Sequence, residues 1–261
     1  EKLQPNLIKG KINSNSAALI LGIEEYDQQK FPDVDFAKND ADYFRDYAIH
    51  VLGVPSSNVK KLINSQASRT NTLEVLRTWL PLMINSNTTL YIFYAGHGYM
   101  DANQNMFLIP YDASPTLLKD SAFLRNDFFK EIEKHEPKEV VALFDTCFSG
   151  FTRNGESIIE GDRDLVIVDD ETNIPDNFIL FSASSGAEFS SSHPKIKHGL
   201  FSYYLMLGLQ GKADENKDRH ITSGELHRYI KENVSKLSIT LKGRSQTPQL
   251  IGNNNKILVN W

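Results

Sequence analysis

Two short runs carry the residue types that could do covalent chemistry. Leu90-Tyr91-Ile92-Phe93-Tyr94-Ala95 breaks into Gly96-His97-Gly98, and Val140-Val141-Ala142-Leu143-Phe144 breaks into Asp145-Thr146-Cys147-Phe148-Ser149-Gly150. Cys147 is the one cysteine of the chain. A free thiol has a pKa near ~8.5, so little of it is thiolate at neutral pH. An imidazole beside it can take the proton during attack on an acyl carbon and return it to the leaving group. The neighbouring glycines let main-chain N–H groups come close to a reacting carbonyl. The N–H groups of Gly98 and Cys147 are the candidate oxyanion donors, and losing one such donor costs on the order of 3 kcal/mol in the transition state. Thiol-based acyl transfer, with Cys147 as nucleophile and His97 as acid–base partner, is the chemistry these residues fit. The sequence marks no third member of a triad.

Both runs are short, apolar and rich in β-branched and aromatic residues, the pattern of buried strands. Ala17–Ile23, Asn58–Ile63 and Asn177–Ala183 read the same way, beside Thr88–Ala95 and Glu139–Asp145. Helical periods fill the intervals at Asp35–Leu52, Thr70–Ile84, Asp120–His135, Gly199–Gln210 and Ser223–Leu237. In the first of these, Phe36, Tyr43, Phe44, Tyr47 and Val51 share a face; in the second, Thr70, Asn71 and Thr72 offer caps. Strands alternating with helices predict a largely parallel sheet covered on both faces, with no internal repeat. The carboxyl ends of parallel strands border the crevice where ligands bind. Two such strands lying side by side would bring the imidazole and the thiol to one rim.

Composition excludes several classes. With 28 Lys and Arg against 33 Asp and Glu, the formal charge of −5 does not fit a nucleic-acid partner, which calls for a basic face. No apolar run approaches the roughly 18 residues of a membrane span, and no leader pattern opens the chain. A single cysteine forbids an intrachain disulfide and fits a reducing, cytoplasmic setting. The chemistry requires no cofactor. Asp214, Asn216, Asp218, Thr222 and Glu225 have the spacing of an EF-hand-like loop that admits calcium, although Arg219 stands where such loops place glycine. His193 and His198 lack partners at metal-ligand spacing and read as loop residues. Ser182, Ser184 and Ser185 read as a substrate wall.

Tyr94-Ala95-Gly96-His97-Gly98, followed about fifty residues later by Asp145-Thr146-Cys147-Phe148-Ser149-Gly150, resembles the caspase/metacaspase superfamily. The likeness extends to Leu19-Ile20-Leu21-Gly22-Ile23, Asn39-Asp40-Ala41, Phe178–Ser185, His198-Gly199-Leu200-Phe201-Ser202 and Gln246-Thr247-Pro248-Gln249. It implies a caspase-like three-layer α/β/α sandwich with a mostly parallel central sheet. Residues 1–261 would be a single peptidase domain, with a large-subunit-like part at about 10–149, a linker-like loop at 150–176 and a small-subunit-like part at 177–261. Asp145 stands where animal caspases have Gln, and Gly150 lies three positions after Cys147 rather than two, as in metacaspases and their bacterial relatives.

That resemblance further implies a pocket for a basic P1 side chain lined by Asp145 and Asp40. A buried carboxylate pair selects guanidinium or ammonium by charge-assisted hydrogen bonds, so the expected partner is a protein or peptide cut after Arg or Lys. Ala95 falls where metacaspases often have Ser, and Ala37 where some have a second Cys. In caspases the loop after the nucleophile is often cut on activation, and Arg153 and Arg163 would suit the enzyme's own preference. Two other readings stay open at this level: a catalytically silent scaffold with the same fold, and a cysteine hydrolase of non-peptide acyl substrates.

Overall fold

Short apolar runs and amphipathic segments assemble into a six-stranded sheet held between two helical layers. The structure, a computed structural model, describes residues 1–101, 103–148, 174–185 and 188–261. Along the chain, β1 (Ser16–Gly22) leads through α1 (Ala37–His50) to β2 (Val59–Ile63). Helix α2 (Arg69–Glu74) continues through a π-turn at Val75–Trp79 into α3 (Leu80–Met83), and β3 (Thr89–Ala95) follows. A small antiparallel sheet comes next, from β4 (Gly98–Met100), β5 (Met106–Leu108) and, after α4 (Leu118–Ser121), β6 (Phe123–Leu124). Helix α5 (Arg125–Glu133) then leads to β7 (Glu139–Asp145). The remainder comprises β8 (Phe178–Ser182), β9 (Ser192–His193), β10 (His198–Gly199), α6 (Leu200–Leu207), β11 (His220–Thr222), α7 (Ser223–Lys242), β12 (Gln249–Ile251) and β13 (Ile257–Asn260).

The large sheet runs in the order β12-β8-β7-β3-β1-β2, parallel throughout except for the edge strand β12. Side-chain parity assigns its faces. Phe93 of β3 stacks on Phe44 of α1 with ring centroids 4.5 Å apart. On the other face, Phe144 of β7 and Phe178 of β8 meet Phe129 of α5 at 5.9 and 4.8 Å. Asp145 shares parity with Leu143, the register partner of Phe93, and so falls on the α1 side. Helix α6 lies against α1 and α7 in that same layer.

All five expected strands form. The helical segments differ in detail. Asp120–His135 is not one helix: α4 ends at Ser121, and Phe123 and Leu124 pair with β5 before α5 begins. The cap of α2 is Ser68, whose Oγ accepts the Asn71 N–H at 3.2 Å, so Thr70–Thr72 lie inside the helix. Tyr43 leaves the buried face of α1, being 38% exposed, and sets its ring edge-on to His198. Strands of two to four residues are too short to show a period, which is why β4–β6 and β9–β13 are not legible in the sequence.

Candidate active site

The parallel ladder fixes the rim. Ala95 of β3 pairs with Asp145 of β7 in register, so His97 and Cys147 each lie two residues past the end of adjacent strands. Both are nearly buried, at 4% and 5% exposure. Gly98 presses against the nucleophile segment: a Cβ placed on it would meet Thr146 Oγ1 at 2.7 Å and the Cys147 carbonyl oxygen at 2.9 Å. Only a glycine lets β4 approach this closely. The Ile109 N–H donates to the His97 carbonyl at 3.1 Å, which makes Gly98–Leu108 a non-hydrogen-bonded pair. The Gly98 N–H therefore turns away from β5.

His97 is held from four directions. Its backbone N–H donates to Tyr26 Oη at 2.7 Å, and its ring stacks on Tyr26 with centroids 5.1 Å apart. Its carbonyl accepts the Tyr94 hydroxyl at 2.6 Å; burial raises the Tyr94 pKa well above the usual phenol value, so that donor stays protonated. Nε2 lies 2.7 Å from the Pro32 carbonyl oxygen. A carbonyl can only accept, so Nε2 carries the proton and Nδ1 is the basic nitrogen of the neutral ring. This orienting partner is a main-chain atom that any residue type could supply, and no sequence signal marks it.

On the thiol side, Cys147 Sγ accepts the backbone N–H of Ser190. The Ser190 hydroxyl donates to Asp145 Oδ1 at 2.8 Å, and the Ser202 hydroxyl and N–H reach Oδ2 at 2.5 and 3.3 Å. Asp40, fully buried rather than a surface charge, pairs with His198 Nδ1 at 2.6 Å and accepts the Gly199 N–H at 3.0 Å. Asp40 and Asp145 thus both anchor the stretch that starts α6. His198 is not a loop bystander: it pairs with His193 across β9–β10 and holds Asp40. Ser190, Ser202 and His198 went unassigned in the sequence because their partners lie 43–158 positions away.

Arg153 and Arg163 fall outside the described residues. In the Asp214–Glu225 loop, Asp214 accepts the Arg219 N–H at 3.2 Å, Asn216 the Asp218 N–H at 2.9 Å, and Asp218 the His220 N–H at 2.8 Å. Glu225 closes a capping box with Thr222 at the start of α7. Arg219 takes the left-handed φ of +65° that glycine adopts without strain. Among the described residues no three His, Cys, Asp or Glu converge as a metal site would need, and no helix is long and apolar enough to cross a membrane.

Comparison with known proteins agrees with this geometry. A family model described as "Caspase domain" matches residues 15–258. Among solved structures, caspase-1 from Spodoptera frugiperda superposes with a TM-score of 0.63 at 15% identity, over 100% of this chain and 95% of that one. A search of curated proteins finds no match.

Proposed function

This chain belongs to the caspase domain family, and from that premise we propose that it is a cysteine endopeptidase cutting protein substrates after Arg or Lys. The observation that carries the reading is the in-register β3–β7 ladder, which delivers a thiol and an oriented imidazole to one rim beside a glycine N–H. Cys147 Sγ attacks the scissile carbonyl while Nδ1 of His97 takes the thiol proton. The oxyanion is held by the N–H groups of Gly98 and Cys147. The protonated imidazole then gives its proton to the leaving amine, and water hydrolyses the thioester.

Asp145 supports the basic preference. It is fully buried on the α1 side of the rim, where the Ser190 and Ser202 hydroxyls orient its two carboxylate oxygens, and a carboxylate is the group that receives a guanidinium or ammonium by charge-assisted hydrogen bonds. A P1 side chain entering here would replace the Ser190 segment beside the sulfur. Self-cleavage after Arg153 or Arg163 belongs to the same reading, as does weak calcium binding by the Asp214–Glu225 loop. A fluorogenic panel with Arg, Lys or Asp at P1, with and without calcium, tests the reading. Arg and Lys peptides should turn over, and Cys147→Ala should lower turnover by about 10⁴-fold or more. Preference for Asp would overturn the specificity. Undiminished activity in Cys147→Ala would overturn the mechanism. Intact masses of active protein and of Cys147→Ala, if identical, would dispose of self-cleavage.

A further inference from the structure

A second cleft, of about 550 Å³, opens between the α2–α3 path and the α4–β6–α5 stretch, on the sheet face that carries α5. Its floor is apolar, with Leu73, Leu76, Phe123 and Phe128. Five cations stand around it, Arg69, Arg77, Lys119, Lys130 and Lys134, against the carboxylates of Asp127 and Glu131. With Asp101, the partner of Lys119, counted among the acids, two positive charges remain in excess, in a chain whose formal charge is −5. Arg77 and Lys134 share Glu131, Lys130 meets Asp127, and Lys119 meets Asp101. Arg69 instead lies over the Phe123 ring at 5.5 Å, and its Nε is buried without a hydrogen-bond partner. A buried donor of that kind has room for an acceptor from water or from a bound chain.

The charges are strung out rather than convergent. Arg69 and Arg77 stand eight residues apart on a helical path, about 12 Å, and Lys130 and Lys134 are one turn apart, about 6 Å. A single phosphate could not reach them together, whereas an extended chain could, placing apolar side chains on the floor between its acids. The cleft also lies near the rim. Gly98 pairs with Leu108, and Leu108 with Phe123, so the floor lies two strand spacings from the oxyanion glycine, about 10 Å.

We propose that this cleft is an accessory substrate site, taking an acidic segment with interspersed apolar residues from the protein being cut. The inference rests on the endopeptidase reading, so its test has an arm that needs no turnover. A labelled peptide of alternating Glu and Leu is titrated against the Cys147→Ala protein by fluorescence anisotropy. Separately, kcat/KM is measured for peptides sharing one Arg-P1 core, extended on either side by the acidic sequence or by Gly and Ser. Binding should be saturable and should weaken at high ionic strength. An acid-extended peptide should be preferred about fivefold, the scale of two exposed ion pairs. Lys130→Gln/Lys134→Gln, at positions 69% and 61% exposed and so safe for folding, should abolish that preference. Peptide binding unaffected by the double variant, or an oligonucleotide competing as well as the peptide, overturns the proposal. If no peptide is cut at all, the endopeptidase reading fails and the anisotropy arm alone decides the cleft.

Discussion

The imidazole side and the carboxylate side of the rim are built by opposite means. The groups described above that fix His97 come from a stretch between Tyr26 and Ile109: a tyrosine face, two tyrosine hydroxyls and two main-chain groups. The carboxylate side is knitted from pieces far apart in sequence, with Asp40 from α1, Asp145 from β7, Ser190 from the segment before β9, and His198 and Ser202 from β10 and α6. Gln246, fully buried, ties that second assembly together by accepting the Ser191 N–H at 2.9 Å and donating to the Ala183 carbonyl at 3.0 Å. The contrast teaches that the setting of His97 is built locally, whereas the setting of Asp40 and Asp145 exists only once residues beyond 177 have docked.

Within the carboxylate side the two acids also differ, and this difference should produce the largest effect. Asp145 takes the Ser190 and Ser202 hydroxyls on its two oxygens, while Asp40 pairs with the His198 imidazole and accepts the Gly199 N–H. Asp145→Asn should lower kcat/KM for an Arg-P1 peptide about a hundredfold or more, as truncation of a buried, hydrogen-bonded charge partner costs roughly 2–5 kcal/mol. Asp40→Asn should cost about tenfold, on the scale of one hydrogen bond to a charged group. Equal losses would erase the distinction, and circular dichroism would show whether both variants fold.

On the imidazole side, Tyr94→Phe removes one donor to the His97 carbonyl. It should lower Tm by about 2–4 °C, near ~1 kcal/mol, because the remaining contacts still hold the ring. A collapse of Tm in calorimetry would mean that the local cage depends on this one hydroxyl.

The smallest effect concerns acid. Burial lowers the His227 pKa, outweighing the hydrogen bond from its Nε2 to the Pro248 carbonyl at 3.0 Å. The unfolded chain therefore binds the proton more tightly than the fold does. The stability from a neutral His227 is present above the unfolded value of about 6.5 and is lost as pH falls through the lower folded value. Tm should decline modestly over that interval, and His227→Gln should flatten the decline. Asp101 behaves alike at lower pH. Burial raises its pKa, but hydrogen bonds from Asn105 and the Lys119 ammonium lower it further, so its contribution is present above about pH 3.9 and lost as pH falls below it. A flat profile in the parent protein across both intervals would remove the acid-sensitivity argued for the region around Pro248.

The sequence makes the central strands legible because each is a run of buried apolar residues ending in a residue type that has no business in a core, such as His97 or Asp145. Parallel alternation then leaves little freedom over which ends share a rim. Asp40 carries an acid on an otherwise apolar helical face, a signal that points to a buried role. Ser190, Ser202 and His198 carry no such mark, since serines and histidines near glycines look like loop. Their roles come from strand pairs of two residues and from contacts across the whole chain.

The Pro32 carbonyl has a consequence for any mutational survey. A partner made of main chain persists through every side-chain replacement at its own position, so an alanine scan would score this site as a pair and overlook its third participant. Exposing the contact takes chemistry on the backbone itself: an ester in place of the Pro32–Asp33 amide would weaken the acceptor while leaving every side chain as it is.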